Sequence, residues 1–111
     1  MTEHPNVSYD WIFRFQSEGA SIGITYCHMI NIERVDYQGT TLLVGAWQAS
    51  EAGCEGAAGQ HIRFSSSEDA GQTWSPSTCV MWGLHAIWSP ILHFDQATGK
   101  LFLFYSESRK V

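Results

Sequence analysis

The chain has 111 residues, of which 14% are aromatic and 15% charged, with ten glycines, five tryptophans and a net charge of −5. That charged share lies well below the roughly 25% of an average globular domain, and it suits short apolar strands joined by tight turns. The acidic balance and the thin scatter of six Lys and Arg exclude a nucleic-acid backbone as partner, and no apolar run reaches the roughly 18 residues of a membrane-spanning helix. Met1–Val7 carries neither a basic nor an apolar stretch, so no signal peptide is read and the cytoplasm is the default compartment. Cys27, Cys54 and Cys79 form no metal-ligand spacing with His28, His61, His85 or His93, so no metal or other cofactor is expected. They read as buried or idle thiols in a reducing compartment.

Along the chain the hydrophobic period is two, which marks strands. Tyr9–Phe15 reads as a short aromatic strand in an N-terminal segment covering 1–23. Ile24–Val35 is a β-branched strand ended by the turn Asp36–Gly39, and Thr41–Ala49 runs back from it. A small-residue loop, Ser50–Gly59, leads into a third strand at His61–Ser67 and a fourth at Ser77–Trp82. Trp88–Phe94, the turn Asp95–Gly99 and Lys100–Ser106 then form a further hairpin. The pattern repeats at an offset of 59, which pairs Ile32 with Ile91, Val35 with Phe94, Asp36 with Asp95 and Leu42 with Leu101. One four-stranded unit over 24–82 and the first half of a second over 83–111 account for that repeat.

Between the third and fourth strands stands Ser67-Glu68-Asp69-Ala70-Gly71-Gln72-Thr73-Trp74. Each fixed position has a physical task. Asp69 can accept hydrogen bonds from the amides that follow it, Gly71 supplies a positive φ, and the Ser67 and Thr73 hydroxyls can tie the strand ends together. Trp74 is a large apolar anchor. The pattern resembles the Asp-box, or BNR repeat, of sialidase-type β-propellers. That resemblance implies an all-β fold of four-stranded antiparallel blades, six in a complete propeller, of which this chain would hold about one and a half. It also implies that the remaining blades lie elsewhere.

The same resemblance implies where the chemistry belongs. In such a blade the Asp-box turn lies on the face opposite the active site. Asp36–Gly39 and Asp95–Gly99 share the Asp-box face, while the other end collects the start of the first strand, the loop Ser50–Gly59 and the crossover Gly83–Trp88. Residues gathered there are His28, Glu51, Glu55, His61, His85, Trp88, Glu107 and Arg109. Sialidases grip a substrate carboxylate with arginines, use a loop acid for proton transfer, and attack with a Tyr paired to a Glu. Carried onto this chain, Glu51 and Glu55 are the candidate acids, with His28 standing where the family has its first arginine. Arg109 is the candidate clamp, and Trp88 an aromatic that could stack on a sugar ring. Gln48 and Ala49 replace charged residues of the family's second strand. The expected function is exo-acting hydrolysis of a terminal, sialic-acid-like sugar by the complete propeller, with a glycan as partner. The alternatives are a non-catalytic Asp-box propeller that binds glycans or proteins, and a non-functional gene fragment. The present chain alone is expected to be inactive, with Leu101–Tyr105 forming an exposed apolar edge.

Overall fold

A computed structural model describes residues 9–13 and 23–109. Among them there is no helix, and six strands follow in order: β1 Tyr26–Tyr37, β2 Thr40–Ser50, β3 His61–Ser67, β4 Thr78–Met81, β5 Ile87–Asp95 and β6 Lys100–Glu107. The first four form an antiparallel sheet in sequential order, and β5 and β6 form a separate antiparallel hairpin. Neither sheet closes on itself.

The period-two pattern locates these strands to within one or two residues, with one exception. Tyr9–Phe13 is not a strand, and Arg14 and Phe15 lie outside the described residues. The alternating aromatics there have another use. Ile12 and Phe13 pack against Ile24, Trp47 and Ala49, and the Phe13 and Trp47 ring centroids lie 5.5 Å apart. Asp36, read as a turn residue, belongs to β1, and the hairpin turns at Gln38 and Gly39 instead. Both have positive φ, 51° and 78°, as a two-residue turn that follows the strand twist requires.

The two faces of β2 go to different places, because successive side chains point oppositely. Val44 and Ala46 join Val35 and Ile62 in the core that receives Ile87 and Leu92 of the hairpin. Trp47 and Ala49 point to the outer face, under Ile12 and Phe13. The hairpin therefore lies over one face of the four-stranded sheet. Two fully buried amides fasten it there: Gln48 Oε1 accepts from Ser89 N at 2.6 Å, and Gln60 Nε2 donates to the Ile87 carbonyl at 2.8 Å. Asn31 and Glu33 accept from Leu92 N and Phe94 N, so the free edge of β5 is capped by side chains of β1. The outer strand β6 has no such cover, and Leu101, Phe102, Phe104 and Tyr105 are exposed.

The repeat is present in the pairing, but with a different offset from the one read in the sequence. A bulge interrupts β1–β2 between His28 and Asn31, and β5–β6 between Trp88 and Ile91, a shift of 60. The partners of those residues, Gln48 and Ala46 against Ser106 and Phe104, are shifted by 58. The bulge residues Met29 and Ser89 share positive φ, 59° and 52°, at the same shift of 60. Val35 thus matches Asp95, and Arg34 matches Phe94, because the β1–β2 hairpin runs two pairs further before it turns. One residue of slip exchanges the faces of a strand. With the corrected offset, the face of β5–β6 that packs inward corresponds to the outer face of β1–β2.

The turn from β3 to β4 is closed by its own side chains. Asp69 Oδ1 accepts from Thr73 N and from the Ser67 hydroxyl, both at 2.8 Å, and Oδ2 accepts from the Thr73 hydroxyl at 2.5 Å. Ser67 Oγ in turn accepts from Gly71 N at 2.8 Å. Gly71 has φ 90°, next to Ala70 at 62°. Trp74 is half-buried rather than enclosed: its indole N–H donates to the Gly71 carbonyl at 3.1 Å, and its ring stands beside Gly45 on the outer face. The hydrogen bonds from Thr73 and Ser67 draw the Asp69 carboxyl down from 3.8 to about 2.

Two measurements check this architecture. Ile62→Ala, at a fully buried core position, should lose about 2–5 kcal/mol in urea denaturation. Leu84→Ala, at an exposed one, should stay within about 0.5 kcal/mol. A depressed carboxyl pKa favours the folded state above the unfolded-state value and loses that contribution as pH falls through the folded value. The melting temperature of wild type should therefore exceed that of Asp69→Ala near neutral pH, and the gap should close between about pH 4 and pH 2. A gap constant across that range would mean that the carboxylate does not hold the turn.

Candidate functional site

The two ends of the stacked sheets differ in kind. At one end lie the three tight turns, and Gln96 Nε2 donates to the Asp36 carbonyl at 2.9 Å, joining the hairpin turn to the β1–β2 turn. At the other end lie the starts of β1 and β5, the loop 51–59 and the residues after β6. Here Trp88 lies over Gly56, and its indole N–H donates to Ser108 Oγ at 2.6 Å. Buried Gln60 holds this end together, since its Oε1 accepts from Gly56 N at 2.9 Å while its Nε2 holds β5.

Between these supports sits a small polar group. His28 Nδ1 is 3.5 Å from Glu55 Oε1, with both side chains about half exposed. The Tyr26 and His28 rings meet edge to face with centroids 6.2 Å apart. The Tyr26 hydroxyl accepts from Gln48 Nε2 at 3.1 Å and lies beside the Glu55 carboxylate. Burial pushes the Tyr26 phenol above its ordinary value of 10, the Gln48 hydrogen bond opposes that rise, and the charge of Glu55 adds to it. A phenol beside a carboxylate has a proton acceptor at hand, which is the arrangement a hydroxyl nucleophile needs.

Of the residues singled out in the sequence, His28 and Glu55 come together, and Trp88 flanks them through Gly56. Glu51 does not join them. Its side chain lies against Gly23, and its carbonyl accepts from the Thr25 hydroxyl at 2.8 Å. Arg109 is exposed one residue beyond Ser108, and it forms no ion pair among the described residues. His61 is committed elsewhere: its Nε2 accepts from Arg63 Nη1 at 3.3 Å, so Nδ1 carries the proton and donates to the Gly59 carbonyl at 3.0 Å. Arg63 is buried on the outer face, donating through Nε and Nη2 to Ser77. His93, read as a packed mid-strand histidine, is exposed and stacks loosely on Phe102.

Sequence reading missed Tyr26 and gave Gln48 no part except as a replacement. One sign was available for Gln48, a lone amide continuing the inward-facing series Val44, Ala46. A second concave feature, about 490 Å³, opens on the outer face between Trp11–Phe13 and Cys27–Ile30, with Trp47 in its wall. It is apolar, and burial pushes the Cys27 thiol up to about 11, which leaves it un-ionised. Among the described residues no group of three or more His, Cys, Asp or Glu could hold a metal ion, and no helix is long and apolar enough to cross a membrane.

No family model matches the chain, and neither a curated protein nor a solved structure does.

The phenol provides a direct check of the site. Glu55→Gln removes a nearby negative charge and should bring the Tyr26 ionisation down toward 10, whereas Gln48→Ala removes a donor and should raise it. Ultraviolet titration, with Tyr26→Phe to assign the transition, reads both shifts. A Tyr26 ionisation that stays in place or rises in Glu55→Gln would separate Tyr26 from Glu55.

Proposed function

We propose that the chain is part of a sialidase-like Asp-box propeller, and that the complete propeller is an exo-acting glycoside hydrolase. One observation carries the reading: Tyr26, His28 and Glu55 meet at the end of the sheets opposite the Ser67–Trp74 turn. The stacking of two hairpins in the same sense, at shifts of 60 and 58, supports consecutive blades. In this reading Glu55 takes the Tyr26 proton as the phenol oxygen attacks the anomeric carbon. Glu51, exposed on the same loop, is the remaining acid for the leaving oxygen, and it reaches that oxygen only by swinging away from Gly23, against which its side chain rests. His28, when protonated, and Arg109 hold the substrate carboxylate, and the half-buried Trp88 ring borders the sugar.

A second reading is favoured by the shortage of cations at this end. Arg63 is buried on the outer face and Arg34 pairs with Asp36 at 3.1 Å by the turns, which leaves Arg109 as the arginine among the described residues near the site. A glycan-binding propeller without hydrolysis fits that shortage. Release of a chromogenic aglycone from a panel of sialosides and neutral glycosides by the complete propeller decides between them. The hydrolase reading expects sialoside cleavage, reduced at least about 100-fold by Glu55→Gln. Activity unchanged in a Glu51→Ala, Glu55→Ala double variant would remove both residues from the mechanism. Tight glycan binding with no cleavage would establish the second reading.

A further inference from the structure

Three consecutive residues at the start of β5 each reach the candidate site by a different route. The Ile87 carbonyl accepts from Gln60 Nε2, while Gln60 Oε1 accepts from Gly56 N. Ser89 N donates to Gln48 Oε1, while Gln48 Nε2 donates to the Tyr26 hydroxyl. Trp88, between them, uses its ring. A Cβ placed on Gly56 would stand 3.2 and 3.3 Å from its Cη2 and Cζ2, so glycine lets the ring lie directly on the loop backbone. The ring is itself pinned. Its indole N–H donates to Ser108 Oγ at 2.6 Å, and Ser108 N donates to the Ala86 carbonyl at 2.9 Å.

Gly56 follows Glu55 directly, and its backbone has little freedom left. Its φ of 85° is one that residues with side chains rarely adopt, its N–H is taken by Gln60, and its open side is taken by Trp88. The loop's own bonds do less. Cys54 N donates to the Ala52 carbonyl and Gln60 N to the Ala57 carbonyl, which curls the loop without tying it to a neighbour. Glu55 itself is exposed, 3.5 Å from His28, so its direction comes from the residue after it. We propose that Trp88 is a positioning residue for Glu55: its ring, pressed on Gly56, holds the Glu55 carboxylate beside the Tyr26 hydroxyl. Trp88 lies in the second repeat and Glu55 in the first, so the second repeat completes the site of the one before it. The proposal rests on the hydrolase reading for the use made of Glu55, and not for where the carboxylate sits. In that reading a displacement of about 1 Å costs on the order of 100-fold in rate.

Ultraviolet titration of Tyr26 in the full chain, assigned with Tyr26→Phe and read without substrate, tests it. The Glu55 charge raises that ionisation and the Gln48 hydrogen bond lowers it. Trp88→Ala should therefore bring Tyr26 down toward 10, as Glu55→Gln does, and should add nothing in a Glu55→Gln background. Ser108→Ala removes only the hydrogen bond that pins the ring, and should move Tyr26 the same way by less, with the wild-type circular dichroism spectrum. A role confined to stability would lower the melting temperature of Trp88→Ala and leave Tyr26 in place, which overturns the proposal. A rise would trace the effect to Ser89 and Gln48 instead, and a fall that persists in the Glu55→Gln background would trace it to exposure of the phenol. Either overturns it. If Trp88→Ala does not fold, Ser108→Ala decides, and an unmoved Tyr26 there overturns the proposal equally. Absence of sialoside cleavage by the complete propeller would end the hydrolase reading and leave this result standing.

Discussion

Two buried amide side chains decide where the hairpin sits. Gln48 and Gln60 each bond the backbone at the start of β5 and each turn their other amide atom to a neighbour, Tyr26 for Gln48 and Gly56 for Gln60. Apolar packing of Ile87 and Leu92 supplies area but little direction, since hydrophobic burial is not directional. A fully buried amide is costly without partners, so each alternative seat for β5 would strand these groups. The candidate site inherits its geometry from the same pair: Gln48 fixes the Tyr26 hydroxyl, and Gln60 fixes the loop that carries Glu55.

The strands were legible because alternation, β-branched residues and turn residues all agree over β1 to β6. Tyr9–Phe13 misled for a physical reason. Alternating aromatics suit a strand, yet here Phe13 has an aromatic surface to cover, the Trp47 ring, and no strand edge to pair with is used. The Ser67–Trp74 turn was readable almost atom by atom, since its bonds are local and each residue type permits few alternatives. Burial of Trp74 was less so, as it depends on what lies across the outer face.

Of the site, the grouping of His28 with Glu55 followed from which loops share an end. Tyr26 did not, because its approach to Gln48 and Glu55 depends on cross-strand register below the bulge at Met29. The bulge also explains the misjudged repeat. Aligning Asp36 with Asp95 is natural in a sequence, where identical turn residues dominate the match. In the molecule the bulges align instead, and the two aspartates take different posts: Asp36 bonds Thr41 and Arg34 within the ladder, and Asp95 closes a turn through Ala97 N and the Thr98 hydroxyl.

The unequal lengths of the two hairpins have a consequence for how such a chain can change. Beyond its bulge β1–β2 runs two residues further on each strand than β5–β6, whose turn is two residues longer, and both still present the corresponding faces in the same sense. Growth by matched pairs at a hairpin tip leaves every inward side chain inward. A single inserted residue would either invert one strand's alternation or demand a new bulge to absorb it. Length variation at this end of the fold is therefore constrained by parity. Two residues can come or go there with little disturbance to the core, where one cannot.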